Sequence, residues 1–334
     1  MAERSQILPG RIDISNGPVE IAISSDNSSV WVTHGSGNSV SRIDASDNII
    51  TNRIDVSNGP IGIAISPDNS SVWVATIGDN SVSRIDTSNN TVITTISVGA
   101  GPGGIAVSPD NSSVWITNSG DNSVSRIDAI NNTVTATITV GVFPIALVIS
   151  PDNSSVWVAN GGGNSVSRID TSNNTVTTTI PVGTYPVAIA ISPDNSSVWV
   201  ANCGGNSVSR IDTSNNIVTN TINYIIAPNA IVIGSDNSFV WVANSRGDSI
   251  ARINTATYTI INRISARISA ISIAISPDNS YIWIANGLDT VSRIIIPATR
   301  PLPPSTSMQK QQQKFPSYAE YLQLAEIQQN KGAI

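Results

Sequence analysis

The stretch SPDNSSVWVANGGGNSVSRID fills residues 150–170, and SPDNSSVWVANCGGNSVSRID follows at 192–212, 42 residues on. The tryptophans measure how often the phrase returns. They stand at Trp31, Trp73, Trp115, Trp157, Trp199, Trp241 and Trp283, every gap is 42 residues, and these 7 are all the tryptophan in the chain. A fixed period in the forties marks an array of one supersecondary unit, whose copies share a continuous core. That outweighs the two domains that 334 residues would suggest at about 150 residues per domain.

One repeat shows the unit. VAIAIS (187–192) is apolar, PDNSS turns, VWVA (198–201) is apolar again, and NCGGN turns. SVSRID (207–212), the turn TSNN and IVTNTI (217–222) complete it. Four short β-prone runs between Asn/Asp/Gly/Ser clusters predict a four-stranded antiparallel meander, with strands A to D. Such a sheet is apolar on both faces. Seven of them packed face to face around an axis bury both faces, whereas a solenoid would need capping repeats. Strand A suits the crowded centre. Glu20, Gly62, Gly104, Ala146, Ala188, Ala230 and Ser272 occupy one of its positions, and six of these are small.

The strand count predicts how the ring closes. After Arg293, strand C runs into PATRPLPP, which cannot continue as a central strand. The seventh repeat therefore lacks strand D. GRIDISNGP (10–18) aligns with NRIDVSNGP (52–60), a strand D and its turn, so the first strand should complete the last blade through Leu8, Ile12 and Ile14. The expected fold is all-β, a seven-bladed β-propeller of four-stranded antiparallel blades over residues 1–296. A Pro/Gln-rich linker (297–316) and a short C-terminal amphipathic helix (317–334) follow.

Composition narrows the function classes. The net charge of −6 argues against a nucleic-acid partner. No run approaches the roughly 18 apolar residues of a membrane span. MAERSQILPGRID has no apolar core of a secretory signal, which suggests a cytoplasmic place. The Ile- and Asn-rich usage suggests an AT-rich genome and, as an alternative place, the particle (virion) of a large DNA virus. The single cysteine, Cys203, replaces a turn glycine and reads as a tolerated substitution.

The residues around each tryptophan resemble the YVTN family of β-propeller repeats. The naming tetrapeptide appears as WVTH (31–34), WITN (115–118), WVAN (157–160, 199–202, 241–244) and WIAN (283–286), within a similarity spanning about residues 8–296. The resemblance implies a propeller, often of archaeal cell surfaces or surface layers, acting as a binding or structural module. The chain departs from that family in its missing export signal and in the arginine of strand C. More distantly it resembles the propellers of the streptogramin lyases, which implies chemistry by histidine, glutamate and magnesium on one face. No multi-residue motif here matches that site, so no catalytic residue is carried over.

The residues themselves suggest four candidates. The tryptophans should wedge between blades, each indole N–H meeting a backbone carbonyl. The arginine ring (Arg42, Arg84, Arg126, Arg168, Arg210, Arg252, Arg293) lies near two aspartate rings, which predicts a structural Arg–Asp lattice, with an anion- or glycan-binding ring as the sharper alternative. No loop has the carboxylate spacing of a calcium site, so no metal and no cofactor is expected. The D–A and B–C turns fall on one face and vary between repeats. There, Gly17, Gly59 and Gly101 give way to Phe143 and Tyr185, Glu20 replaces Gly or Ala, His34 replaces Asn, and Arg246 and Arg267 each occur once. Drift after duplication produces such departures, and so does a binding site for a protein or glycan. Glu20 with His34 is the one conceivable acid–base pair, and supports a metal-dependent lyase-like enzyme as the alternative to a non-enzymatic binding or assembly module.

The tail differs in kind. Ser317 and Glu320 form a capping box, Gly332 a stop, and Tyr318, Tyr321, Leu322 and Ala325 an apolar face. Such a helix should dock on its own propeller or on another subunit.

Overall fold

The computed structural model describes residues 10–247, 249–265, 270–287 and 289–296. Leu8, Arg267 and the whole segment 297–334, with its expected linker and docking helix, lie outside the described residues. Within them the chain forms 7 four-stranded antiparallel sheets. Blade 5 is typical: strands Pro186–Ile191, Ser197–Asn202, Ser207–Asp212 and Ile217–Asn223 pair in chain order. The blades ring a common axis and the A strands are innermost, each packing on the A strands of both neighbours.

Strand B is buried along its whole length in most blades, because neighbouring sheets cover both of its faces. Trp157 shows the packing. With Ala159, Val166 and Ile180 of blade 4 it forms one cluster with Ile189, Val198, Val200 and Ile211 of blade 5. The core is thus a set of inter-blade clusters, and each tryptophan joins one blade to the next.

The ring closes as the strand count predicts. Gly10–Asp13 pairs antiparallel with Thr290–Ile295, and Ile12 stands opposite Val291. Ile12 and Ile14 are buried among Val30, Val32 and Ile43 of blade 1 and Trp283 and Val291 of blade 7. Each such side chain contributes about 1.5–3 kcal/mol on burial.

The polar lattice differs from the expected one in two respects. The indole N–H of Trp31, Trp115, Trp157 and Trp199 donates to the serine hydroxyl two residues earlier, at 3.0–3.1 Å, and not to a backbone carbonyl. Strand geometry explains this, since residues i and i−2 share a face. Nor do the ring arginines pair with aspartates. Among the described residues the one ion pair is the exposed Arg11–Asp13, at 3.4 Å. Arg42 instead lies over Trp31, 5.2 Å from its ring centroid, and donates across the blade gap to Thr87 O and Asn90 Oδ1. Arg84, Arg126, Arg168 and Arg293 repeat the bridge to the next blade's C–D turn. The aspartates are occupied locally. Asp152 accepts from the Ser150 hydroxyl at 2.6 Å and from Ser154 N–H, and its other oxygen accepts from Asn195 of blade 5. Such Asx turns satisfy a carboxylate at shorter range than any arginine can.

Where Phe239 and Tyr281 replace the serine of strand B, Arg252 and Arg293 stand 3.5 Å from the new ring centroids. The two substitutions exchange a hydrogen bond for a cation–π contact, worth about 0.5–2 kcal/mol.

Candidate functional site

The A strands enclose a cavity of about 620 Å³ on the axis, lined by residues of all seven blades. Its geometry starts with a bulge. In blade 5, Pro186 pairs with Asn202 but Ala188 pairs with Ala201, so Val187 is an extra residue in strand A. A bulge re-aims side chains, and this residue lines the cavity in every blade: Val19, Ile61, Gly103, Ile145, Val187, Asn229 and Ile271. The next residue inward forms the small ring read from the sequence, Glu20 with Gly62, Gly104, Ala146, Ala188, Ala230 and Ser272. Smallness is obligatory at Gly62, where a Cβ would lie 2.1 Å from Gly103 O of the next blade.

Two aromatic side chains stand at the mouth. Phe143 and Tyr185 sit in the D–A turns entering blades 4 and 5 and line the same cavity. Both are 42% exposed, and both adopt left-handed backbone, φ 54° and 51°. Gly17, Gly59 and Gly101 hold this position elsewhere at φ 64–67°. The conformation costs a residue with a Cβ about 1–2 kcal/mol. It is nevertheless held firmly. Phe143 N–H donates to Asn122 Oδ1 of blade 3 at 2.7 Å, and Phe143 O accepts from Gly161 N–H of blade 4 at 2.8 Å. Tyr185 is clamped in the same way by Asn164 and Cys203. Cys203 also lines the cavity.

Glu20 is the carboxylate among the described lining residues. Its Oε2 accepts from Ile63 N–H of blade 2 at 3.0 Å. The residue keeps some surface through the cavity, but the strands around its carboxyl strip its hydration. Burial therefore pushes it up to about 7, against the downward pull of the Ile63 bond.

His34 is elsewhere. It is fully buried between strands of blade 1, and its Nε2 contacts Ser41 Oγ at 2.8 Å. It takes the place of Asn118, Asn160, Asn202 and Asn286, whose amides bridge the paired serine and threonine hydroxyls of strand C. Burial, assisted by the charge of Arg53, lowers it to about 4, so it is neutral at pH 7. No hydrogen bond joins His34 to Glu20. The cavity thus brings together Glu20, Phe143 and Tyr185, and excludes His34 and the exposed Arg246.

Asn229 and Tyr224 were missed by sequence reasoning. Asn229 breaks a column that is apolar or glycine in the other six blades, a signal visible by the comparison that found Glu20. Tyr224, 85% exposed at φ 66°, falls in the irregular turn NYIIAP, where the repeat loses its alignment.

The magnesium that the lyase resemblance implies needs several hard oxygen or nitrogen donors in one place. Among the described residues the cavity lining offers a single carboxylate, and no three His, Cys, Asp or Glu side chains gather to hold an ion. The residues do not fit such a site.

Comparison with known proteins places the chain. The model of the virginiamycin B lyase family matches residues 11–294. No sequence among the curated proteins matches this chain. Among solved structures, hydrazine synthase of Kuenenia stuttgartiensis is similar with a TM-score of 0.78 and 22% identity, over 86% of this chain and 97% of that one. The selenomethionine-substituted virginiamycin B lyase of Staphylococcus aureus is similar with a TM-score of 0.75 and 22% identity, over 86% and 98%. A catalytically inactive histidine-to-alanine variant of that enzyme, solved with quinupristin, gives the same TM-score of 0.75. At these identities the structures show the shared seven-bladed fold.

Proposed function

From the premise that this chain belongs to the virginiamycin B lyase family, we propose that it keeps the family's propeller as a non-enzymatic binding module. It presents the D–A/B–C face, around the mouth of the axial cavity, to a protein or glycan partner. One observation carries this reading: Phe143 and Tyr185 occupy strained left-handed positions that three sister turns fill with glycine. Aromatic residues held rigid at an opening lose little entropy on binding and dominate interface energetics. Presentation on a cell or particle surface, as in the YVTN propellers, is the finer form of the same reading.

The family match and the solved quinupristin complex favour a second reading, a lyase-like enzyme on the same face. Its difficulty lies in the available groups. The chain's one histidine is enclosed in blade 1 and neutral.

A glycan and small-molecule array, with the wild type beside Phe143→Gly/Tyr185→Gly, tests the first reading. It expects a hit that the double variant loses, and equal binding by both proteins would reject it. Incubation with quinupristin tests the second. Turnover abolished by Glu20→Gln would replace the binding module by an enzyme.

A further inference from the structure

The polar side chains that the A strands bring to the cavity are not scattered round its wall. Asn229 belongs to blade 6, Ser272 to blade 7 and Glu20 to blade 1, three consecutive blades of the closed ring. Phe143 and Tyr185 enter blades 4 and 5, across the axis. The remaining wall is mostly aliphatic or glycine, with Ile61, Ile105 and Leu147 among its members, and its exceptions are Cys203 and Ser119, whose hydroxyl donates to Gly101 O at 2.9 Å. The cavity is therefore amphipathic, with one polar arc and one apolar side.

The arc also has a sign. Glu20 keeps one carboxylate oxygen beyond the bond from Ile63 N–H. Asn229 uses its Nδ2 to donate to Ile271 O of blade 7, at 2.6 Å, which leaves its Oδ1 as an acceptor. The Ser272 hydroxyl can accept as well. Among the described residues no basic side chain lines the cavity. A wall of acceptors around a poorly hydrated carboxylate selects a donor, and most strongly a cationic one.

We propose that the axial cavity is a binding site for an amphipathic alkylammonium ion, its ammonium group held by Glu20, Asn229 and Ser272 and its hydrocarbon body lying toward blades 4 and 5. This goes beyond the partner-binding reading and does not depend on it. A cation near Glu20 favours the ionised carboxyl, so binding strengthens as that group deprotonates. The strands packed on Glu20 add few other titratable groups. Strand B of blade 1 carries His34, turned to Ser41. Strand B of blade 7 carries Tyr281, against Arg293. The A strands of blades 2 and 7 carry none.

Titration calorimetry with n-hexylammonium, 1-hexanol and hexanoate tests the site on the intact protein. At pH 8, hexylammonium should bind at least tenfold tighter than hexanol, and hexanoate should not bind. Between pH 6 and pH 8 the hexylammonium affinity should rise about tenfold while that of hexanol stays constant. Glu20→Gln should reduce hexylammonium to the level of hexanol. Asn229→Leu should weaken hexylammonium and leave hexanol unchanged, and serves if the Glu20 variant misfolds. Nα-acetyl-lysine N-methylamide, whose side-chain ammonium is free, separates the sources: equal affinity identifies a lysine side chain of a partner, and weaker affinity a free amine. Hexylammonium that binds no tighter than hexanol, or that ignores both substitutions, would overturn the proposal. A blank array would leave this titration readable, and a failed titration would leave an array hit standing.

Discussion

Glu20 and His34 titrate in opposite directions although they share a blade. The carboxyl of Glu20 is raised from 4.5 to about 7. Between those values the native state holds a proton that the unfolded chain has released, so stability falls as pH rises through that window. His34 is lowered from 6.5 to about 4. Between those values the unfolded chain holds the extra proton, so stability rises with pH. Each effect is on the order of 2–3 kcal/mol, and the two oppose each other between about pH 4.5 and 6.5. Thermal melts of the wild type should be nearly flat across that interval. Glu20→Gln should make the melting temperature climb with pH, and His34→Asn should make it fall. Parallel profiles for all three proteins would contradict this account. Both residues stood out in the sequence because each departs from its repeat column. Their separation did not, because a column records the blade position and not the wall on which a bulge places the side chain.

At the scale of the element, the first strand and the D–A turns carry opposite expectations. Ile14 is 1% exposed in the cluster that joins blades 7 and 1. Ile14→Ala should cost about 2–4 kcal/mol in urea unfolding, and deletion of residues 1–15 should lower the melting temperature further. An unchanged midpoint in both would mean that the closing strand contributes nothing. The turns behave otherwise. Replacing Phe143 and Tyr185 by glycine relieves two left-handed residues, so the double variant should gain about 1–2 kcal/mol of stability. It should lose partner binding at the same time, the signature of residues kept for function. A variant that is destabilised would show that the rings support the fold. The strands, their order and the closure were legible in the sequence because period, turn residues and strand count agree. The partners of arginine and aspartate were not. Both residue types recur at matching intervals, and only the three-dimensional register shows that arginines such as Arg42 and Arg84 reach the next blade's C–D turn while aspartates such as Asp152 bind a serine of their own turn.

Over the described residues the molecule is a ring of near-copies, and its charges reflect that repetition. Asp110, Asp152 and Asp194, in the A–B turns of blades 3, 4 and 5, are held below their ordinary range chiefly by serine hydroxyls. Asp278 reaches about 2. Groups lowered in this way stabilise the native state above about pH 4, and that contribution is lost as pH falls through their folded values. Acid unfolding should therefore begin below pH 4 and involve all blades together. Circular dichroism and tryptophan fluorescence should then report one coincident midpoint, and separate midpoints would show blades failing singly. The family match spans the ring, yet Glu20, Asn229, Phe143 and Tyr185 are single interruptions of its repeat. Comparing blades with one another exposes them.

The closing strand also sets a schedule. Gly17 N–H binds the carboxylate of Asp289, 272 residues further along, at 2.7 Å. At roughly 5–20 residues per second, a ribosome needs on the order of 10–50 s to cover that distance. For that time the first segment has left the exit tunnel while its partner strand has not been synthesised. Its strand GRID carries two charges, and the cluster that buries Ile12 and Ile14 is complete only once Trp283 and Val291 of blade 7 have been made. The last blade of the ring to be made is the one that gives the closing strand its place.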